Sequence, residues 1–458
     1  MNAPTDRQAF ETPADRMAKL PLRDFDDLAH LPGYPRSEKG IFRMLRVLRD
    51  PLGEVQRAYA AFGPVFRTNF GGWGVNLIGP EGNELLLFNK ERIFSSEQGW
   101  HAFLWRLFPR GLMLMDDPEH RAHRKTLSVA FKQEPMRHYF GALKDGIARG
   151  VDAWPGEFKF YPAIKKLTLD LAATSFLGLP WGPEAERINR AFVDMVQAAV
   201  TPIRVPIPGT QMWRGVRGRK YMSAFFAREI PSRRGREGED FFTQFCNARD
   251  DDGNLLSDQE VIDHMNFLMM AAHDTLTSSL SSTIYYLAAN PEWQEWVRAE
   301  IRENPEITYE NLGSFERLEM AFKEAMRLLP PVPGIPRRVL TDLVVGNHTI
   351  PAGTMVSASV MLTHRLPELW PDPERFDPTR FTVENTKGRH KYAWVPFGGG
   401  AHMCLGLHFA YMQAKVFLHH LLATNSISLA PEAKRDDFAM FPIPRPRDGM
   451  PVRLERLG

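Results

Sequence analysis

The chain has 458 residues, 43% of them hydrophobic and 24% charged, with a formal net charge of +2. This composition supplies a large core, excludes a disordered chain, and gives no electrostatic reason to expect nucleic acid as a partner. The two cysteines, Cys246 and Cys404, exclude a disulfide framework and suggest a reducing compartment.

The stretch MNAPTDRQAFETPADRMAKLPLRD is polar and charged, with neither the apolar run of a signal peptide nor an apolar span. Residues 1–24 read as a mobile segment and 25–458 as a single domain, with no stable membrane anchor and a cytoplasmic location. Pro51 to Phe62 carries a helical pattern. PVFRTNF and GVNLIG read as strands around the Gly71-Gly72 turn. From about Glu81 to Val339 the signals are mainly helical, interrupted by Trp100 to Met115, WHAFLWRLFPRGLMLM, which reads as an unusually apolar loop. One helix stands out. Ser257 and Glu260 form a capping box, Asn290-Pro291 stops the helix, and its middle, MNFLMMAA, is apolar on every side. Such a helix should be buried all round. Between Val339 and Val360, β-branched residues alternate with Gly and Pro turns, which predicts strands. A last helix is predicted from about Leu405 to Leu422. The sum is a mainly α chain with a minor β region.

The phosphate loop, the H-E-x-x-H zinc helix, the G-x-S-x-G elbow and C-x-x-C are missing. What remains is FGGGAHMCLG, residues 397–406. A thiolate needs its charge stabilised, and the start of the following helix supplies free N–H groups and a positive dipole end. Glycines let backbone turn sharply and approach a flat partner. The pattern F-x-x-G-x-H-x-C-x-G, met by Phe397, Gly400, His402, Cys404 and Gly406, is similar to the signature of the cytochrome P450 family. The resemblance runs over roughly residues 50 to 445 and implies the cytochrome P450 fold.

It also implies haem b (iron protoporphyrin IX), with Cys404 as the axial thiolate that pushes electron density to iron. Phe397 and Gly406 would pack and shape the cysteine side. Glu324 and Arg327 of KEAMR match the family's E-x-x-R helix, and Arg380 of FDPTRF its third member, a buried structural network. AAHDTLT, residues 271–277, retains Asp274 and Thr275, while Ala272 and Leu276 depart from the usual glycine and hydroxyl residue. Dioxygen chemistry needs protons, and an acid–alcohol pair can relay them. His120 and Arg124 match the H-x-x-x-R helix; with Arg337 and His402 they would hold the propionates.

The resemblance implies that Trp100, Phe103, Phe267, Met270, Ala271, Val332, Ile335 and Phe441 would line an apolar substrate pocket. Val205 to Lys220 and the FGGG run resemble the sterol- and retinoid-oxidising branch. The expected function is a monooxygenase using O2 on a lipophilic molecule such as a terpenoid, a steroid or another extended lipid. Its electrons would come from a separate ferredoxin-type donor with its reductase. Arg121, Lys125, Lys132, Arg137, Lys387, Arg389 and Lys391 are candidates for that donor's docking face. The rival readings are a peroxygenase or isomerase of the same fold, against which Asp274 and Thr275 argue, and a non-catalytic haem sensor or carrier.

Overall fold

The structure is a computed structural model that describes residues 20–70, 72–199, 201 and 204–457. Most of the segment read as mobile, residues 1–19, lies outside the described residues. Just beyond it, Arg23 donates from Nε to the Ala352 carbonyl at 2.6 Å and the Leu20 carbonyl accepts from Arg338 at 2.6 Å.

The long helix forms as its caps require. It spans Asp258–Ala289, 32 residues, or about 48 Å. Glu260 N–H donates to the Ser257 hydroxyl at 3.3 Å, and the Glu260 carboxylate accepts the Ser257 N–H at 2.7 Å. Val261, Met265, Met269, Leu280 and Ile284 along it are all buried. Its later turns are rich in hydroxyls that are also buried. Ser281, Ser282 and Thr283 satisfy them by donating to carbonyls four residues back, at 2.7, 2.9 and 2.7 Å.

Around this central helix pack Phe160–Leu177, Gln211–Arg233 and Glu316–Leu328. The helix Leu407–Thr424 buries Phe409, Met412, Val416 and Phe417, and packs on Gln133–Asp152. These helices share one core.

A second core lies on a five-stranded sheet, in the order Val65–Asn69, Trp73–Leu77, Met355–Ala358, Ile335–Val339, Phe94–Ser95. Only the Trp73–Leu77 and Met355–Ala358 pair is parallel, with Val75 opposite Val356. The pairing Arg337↔Val356 places Arg337 inside the sheet rather than at its edge. Near the C-terminus Phe438–Ala439 pairs with Arg445–Pro446, and Ser278 on the central helix donates to the Pro444 carbonyl at 2.7 Å. That bond ties the segment carrying Phe441 to the central helix.

The loop expected over 100–115 is corrected in part. Trp100 to Leu104 are the last turns of a helix, Ser96–Leu104, and Leu112–Leu114 form a 3₁₀ turn. Ser95 caps the helix by accepting the Gln98 N–H at 3.0 Å, and Asp116 accepts the Ser96 N–H at 2.7 Å. The second cap comes from twenty residues downstream, where no local pattern could announce it.

Glu324, Arg327 and Arg380 meet at the end of Glu316–Leu328. Arg327 donates from Nε and Nη2 to the two Glu324 oxygens at 2.8 Å each, and Arg380 Nε lies 3.3 Å from Glu324 Oε1. The neighbouring Arg375 contributes only its carbonyl, to Arg327 at 3.2 Å.

Candidate active site

Cys404 sits between a glycine turn and a helix start. Gly398 and Gly400 have φ of 70° and 60°, which strains any residue with a Cβ. A Cβ on Gly400 would also collide with the Leu87 carbonyl oxygen, so the turn rests on the backbone of the helix Pro80–Phe88. The Cys404 N–H donates to the Phe397 carbonyl at 2.9 Å and closes the turn. Gly406 caps Leu407–Thr424 and directs its N–H at the Cys404 sulfur. Burial in surrounding protein pushes the thiol pKa up, while the Gly406 N–H and the Arg124 charge pull it down. The side chain itself stays accessible to a ligand, unlike Cys246, which is buried with its pKa pushed up to about 12 by burial.

The structure gathers His120, Arg124, Arg337 and His402 into one cluster. The rings of His120 and His402 are 3.9 Å apart. Arg337 is 3% exposed, and among the described residues its guanidinium makes one hydrogen bond, to the adjacent Pro336 carbonyl at 2.9 Å. Burial drives the Arg337 pKa down to about 10. His120 is buried, and among the described residues neither ring nitrogen has a hydrogen-bond partner; the Asp117 carboxylate is 3.7 Å away. Burial first, then Arg124, lower its pKa to about 4. His402 is lowered to about 2 by burial, Arg337, His120 and Arg124. Buried cations and orphaned ring nitrogens cost free energy unless an anion meets them. A group carrying carboxylates and a metal that accepts a thiolate fits this donor set, which is what haem offers.

On the central helix, Thr275 donates from Oγ1 to the Ala271 carbonyl at 2.7 Å. Asp274 is held from two sides. Lys165 Nζ, on Phe160–Leu177, is 3.2 Å from its Oδ1, and His273 Nδ1 is 2.9 Å from the same oxygen. Burial pushes the carboxyl up, but His273 and Lys165 outweigh it and hold Asp274 well below the usual carboxylate range. Beside this pair lies a small cavity lined by Thr168, Ala272, His273 and Gln413. Thr168 and Thr277 share a 2.8 Å hydrogen bond at its rim. Sequence reasoning missed Lys165 and His273; Lys165 is 109 residues from Asp274, and only the fold brings them together.

The expected pocket residues are scattered more widely. Phe267 is buried and packs against Gly111, where a Cβ would strike its ring. Met270, Ala271 and Trp100 are partly buried against the helical core. Ile335 and Val332 belong to the sheet core. Phe441 touches Phe70 at 5.7 Å between ring centroids. Phe103 is 43% exposed, so much of its ring is turned to solvent. Among the candidate docking cations, Arg121, Lys125 and Arg137 each meet a carboxylate. Arg389 stacks on Trp370 at 4.2 Å and is half-buried. Lys387 and Lys391 are exposed.

Residues 32–448 match the sequence profile of the family described as Cytochrome P450. A Mycobacterium tuberculosis protein named as cytochrome P450 136 is 38% identical over 424 residues, covering 90% of this chain and 86% of that one. The taxane 10-beta-hydroxylase of Taxus cuspidata is 29% identical over 445 residues, covering 92% and 88%. The solved structure of a retinoic acid-bound cyanobacterial CYP120A1 superposes with a TM-score of 0.85 at 30% identity, covering 96% of this chain and 100% of that one. The chain belongs to the cytochrome P450 family. It is a cytochrome P450 monooxygenase with that family's fold, and its cofactor is haem. No helix among the described residues is long and apolar enough to cross a membrane.

Proposed function

We propose that this monooxygenase oxidises an extended, largely apolar lipid of the terpenoid, steroid or retinoid kind. Its electrons would come from a separate ferredoxin-type donor with its reductase, in the cytoplasm. The observation that carries the substrate reading is the central helix, where Phe267, Met270 and Ala271 precede the acid–alcohol pair without a charged side chain among them. Two relatives, a taxane hydroxylase and a structure bound to retinoic acid, point to the same substrate shape.

When bound, the haem supplies reductive activation of dioxygen and insertion of one oxygen atom into a C–H bond or double bond. Cys404 would hold the iron as thiolate, its charge shared with the Gly406 N–H and the field of Arg124. Arg124, Arg337, His120 and His402 would hold the propionates. Phe397 covers the cysteine side. Thr275 spends its proton on the Ala271 carbonyl. Its oxygen therefore keeps its lone pairs free to accept a hydrogen bond from a water. Asp274, held ionised by Lys165 and His273, accepts a hydrogen bond from water and orients that water as part of a proton relay.

A library of terpenoids, steroids, retinoids and small polar compounds, screened for the low- to high-spin shift of the haem, tests the substrate reading. Extended apolar members should give saturable shifts and hydroxylated products with a ferredoxin system. Shifts confined to small polar compounds would refute it.

A further inference from the structure

The helix Gly40–Arg49, GIFRMLRVLR, is turned inside out. Arg43 is its buried residue, 2% exposed, paired with Glu54 at 2.8 Å and lying 3.8 Å over the Tyr34 ring. Its large apolar side chains point the other way. Ile41, Phe42, Leu45 and Leu48 are 54%, 57%, 55% and 45% exposed. At 100° per residue these four form one outward stripe about 120° wide. Arg46 falls about 40° beyond Phe42 and Arg49 about 20° inside it, and Lys39 is the residue that precedes the helix. Arg46 is engaged by Glu38 at 2.6 Å and Glu54 at 3.3 Å. Among the described residues no carboxylate pairs with Lys39 or Arg49.

We infer that this helix seats the protein reversibly on an anionic lipid surface. The apolar stripe would enter the boundary between headgroups and acyl chains while the flanking cations meet the headgroups. An apolar face bordered by Lys and Arg is the design of helices that lie in a membrane interface. The cations on the flank supply the charge complementarity that selects an anionic surface. A second copy of the chain is the poorer occupant. The stripe offers roughly 400 Å², the scale of a monomer's largest patch, against about 800 Å² per partner in a stable dimer. The inference is independent of the substrate reading.

The test uses full-length, haem-loaded protein sedimented with vesicles of phosphatidylcholine alone, or of phosphatidylcholine mixed with phosphatidylglycerol. The protein should follow the mixed vesicles, and more so at low salt than at high. The triple variant Ile41→Ser/Phe42→Ser/Leu45→Ser should bind at least tenfold more weakly, and Lys39→Glu/Arg49→Glu should lose the preference for the anionic lipid. Each variant must keep the wild-type spectrum of the reduced carbon monoxide complex. If the triple variant fails that check, the single exchanges Leu45→Gln and Leu48→Gln carry the comparison. Absence of binding to either vesicle, or binding unchanged by these exchanges, overturns the inference. So does a dimer in ultracentrifugation that the serine exchanges abolish, because a second copy would then be the occupant.

Discussion

Replacing Glu324 with Gln strands a charge in the most enclosed part of the fold. Glu324 and Arg327 are both 0% exposed, and the carboxylate also accepts the Asp377 N–H at 2.9 Å. After the exchange Arg327 keeps its bonds to the His364 and Pro373 carbonyls, at 2.9 and 2.7 Å, but has no counter-charge. Removing one partner of such a pair costs about 3–5 kcal/mol. A Coulomb attraction of about 4 kcal/mol at 4 Å and an effective dielectric of about 20 agrees with that figure. For 458 residues the entropy of unfolding is about 1 kcal/mol/K at roughly 2.1 cal/mol/K per residue. The thermal midpoint should therefore fall by about 3–5 °C, with a matching drop in the denaturant midpoint of the carbon monoxide complex. The double exchange Glu324→Leu/Arg327→Met should cost less than the two single exchanges added together, because it leaves neither charge unpaired. A loss below about 1 kcal/mol for Glu324→Gln would refute the reasoning, since it would mean that water or another anion already screens Arg327.

Three further outcomes are expected. His364 is fully buried and accepts the Val395 N–H at 2.9 Å; burial, then Arg327 and Arg365, lower its pKa to about 3. The unfolded chain binds this proton from about pH 6.5 downward and the folded chain does not, so stability falls as pH drops from about 6.5 toward 3, by up to about 5 kcal/mol. Denaturant titrations across that window should show the slope, and His364→Gln, which keeps an acceptor, should make it shallower by the share of His364. Gly400→Ala adds a Cβ against the Leu87 carbonyl at φ 60° and should cost about 2 kcal/mol or more, read as lost haem per mole of purified protein. Asp274→Asn removes the ionised acceptor held by Lys165 and His273. It should lower turnover with dioxygen by about a hundredfold or more while leaving the substrate-induced spin shift in place.

The elements that the sequence declared most plainly were those whose signals are local. The Ser257–Glu260 box and the Asn290-Pro291 stop bracket the central helix because caps act within one turn. The strands around 65–77 and 343–358 follow from β-branched alternation and turn residues, while the strand Ile335–Val339 begins before the stretch the sequence marks. The cysteine turn is legible because its glycines answer a backbone demand, visible at Gly400 against Leu87. What stayed hidden depends on partners far along the chain. Asp116 starts the helix of Trp100 from twenty residues away, and Lys165 fixes the charge of Asp274 across a helix–helix contact. Periodicity marks the two faces of Gly40–Arg49 but not which one turns inward; the buried Glu54 settles that by pairing with Arg43.

The central claim is that the Cys404 sulfur is the iron ligand of this monooxygenase. The direct measurement is the spectrum of the reduced carbon monoxide complex of the wild type and of Cys404→Ser, at equal haem content. The wild type should show the thiolate-type Soret band and Cys404→Ser should lack it, while Cys246→Ser, a change at a buried cysteine, should keep it. A thiolate-type band surviving in Cys404→Ser would contradict the account.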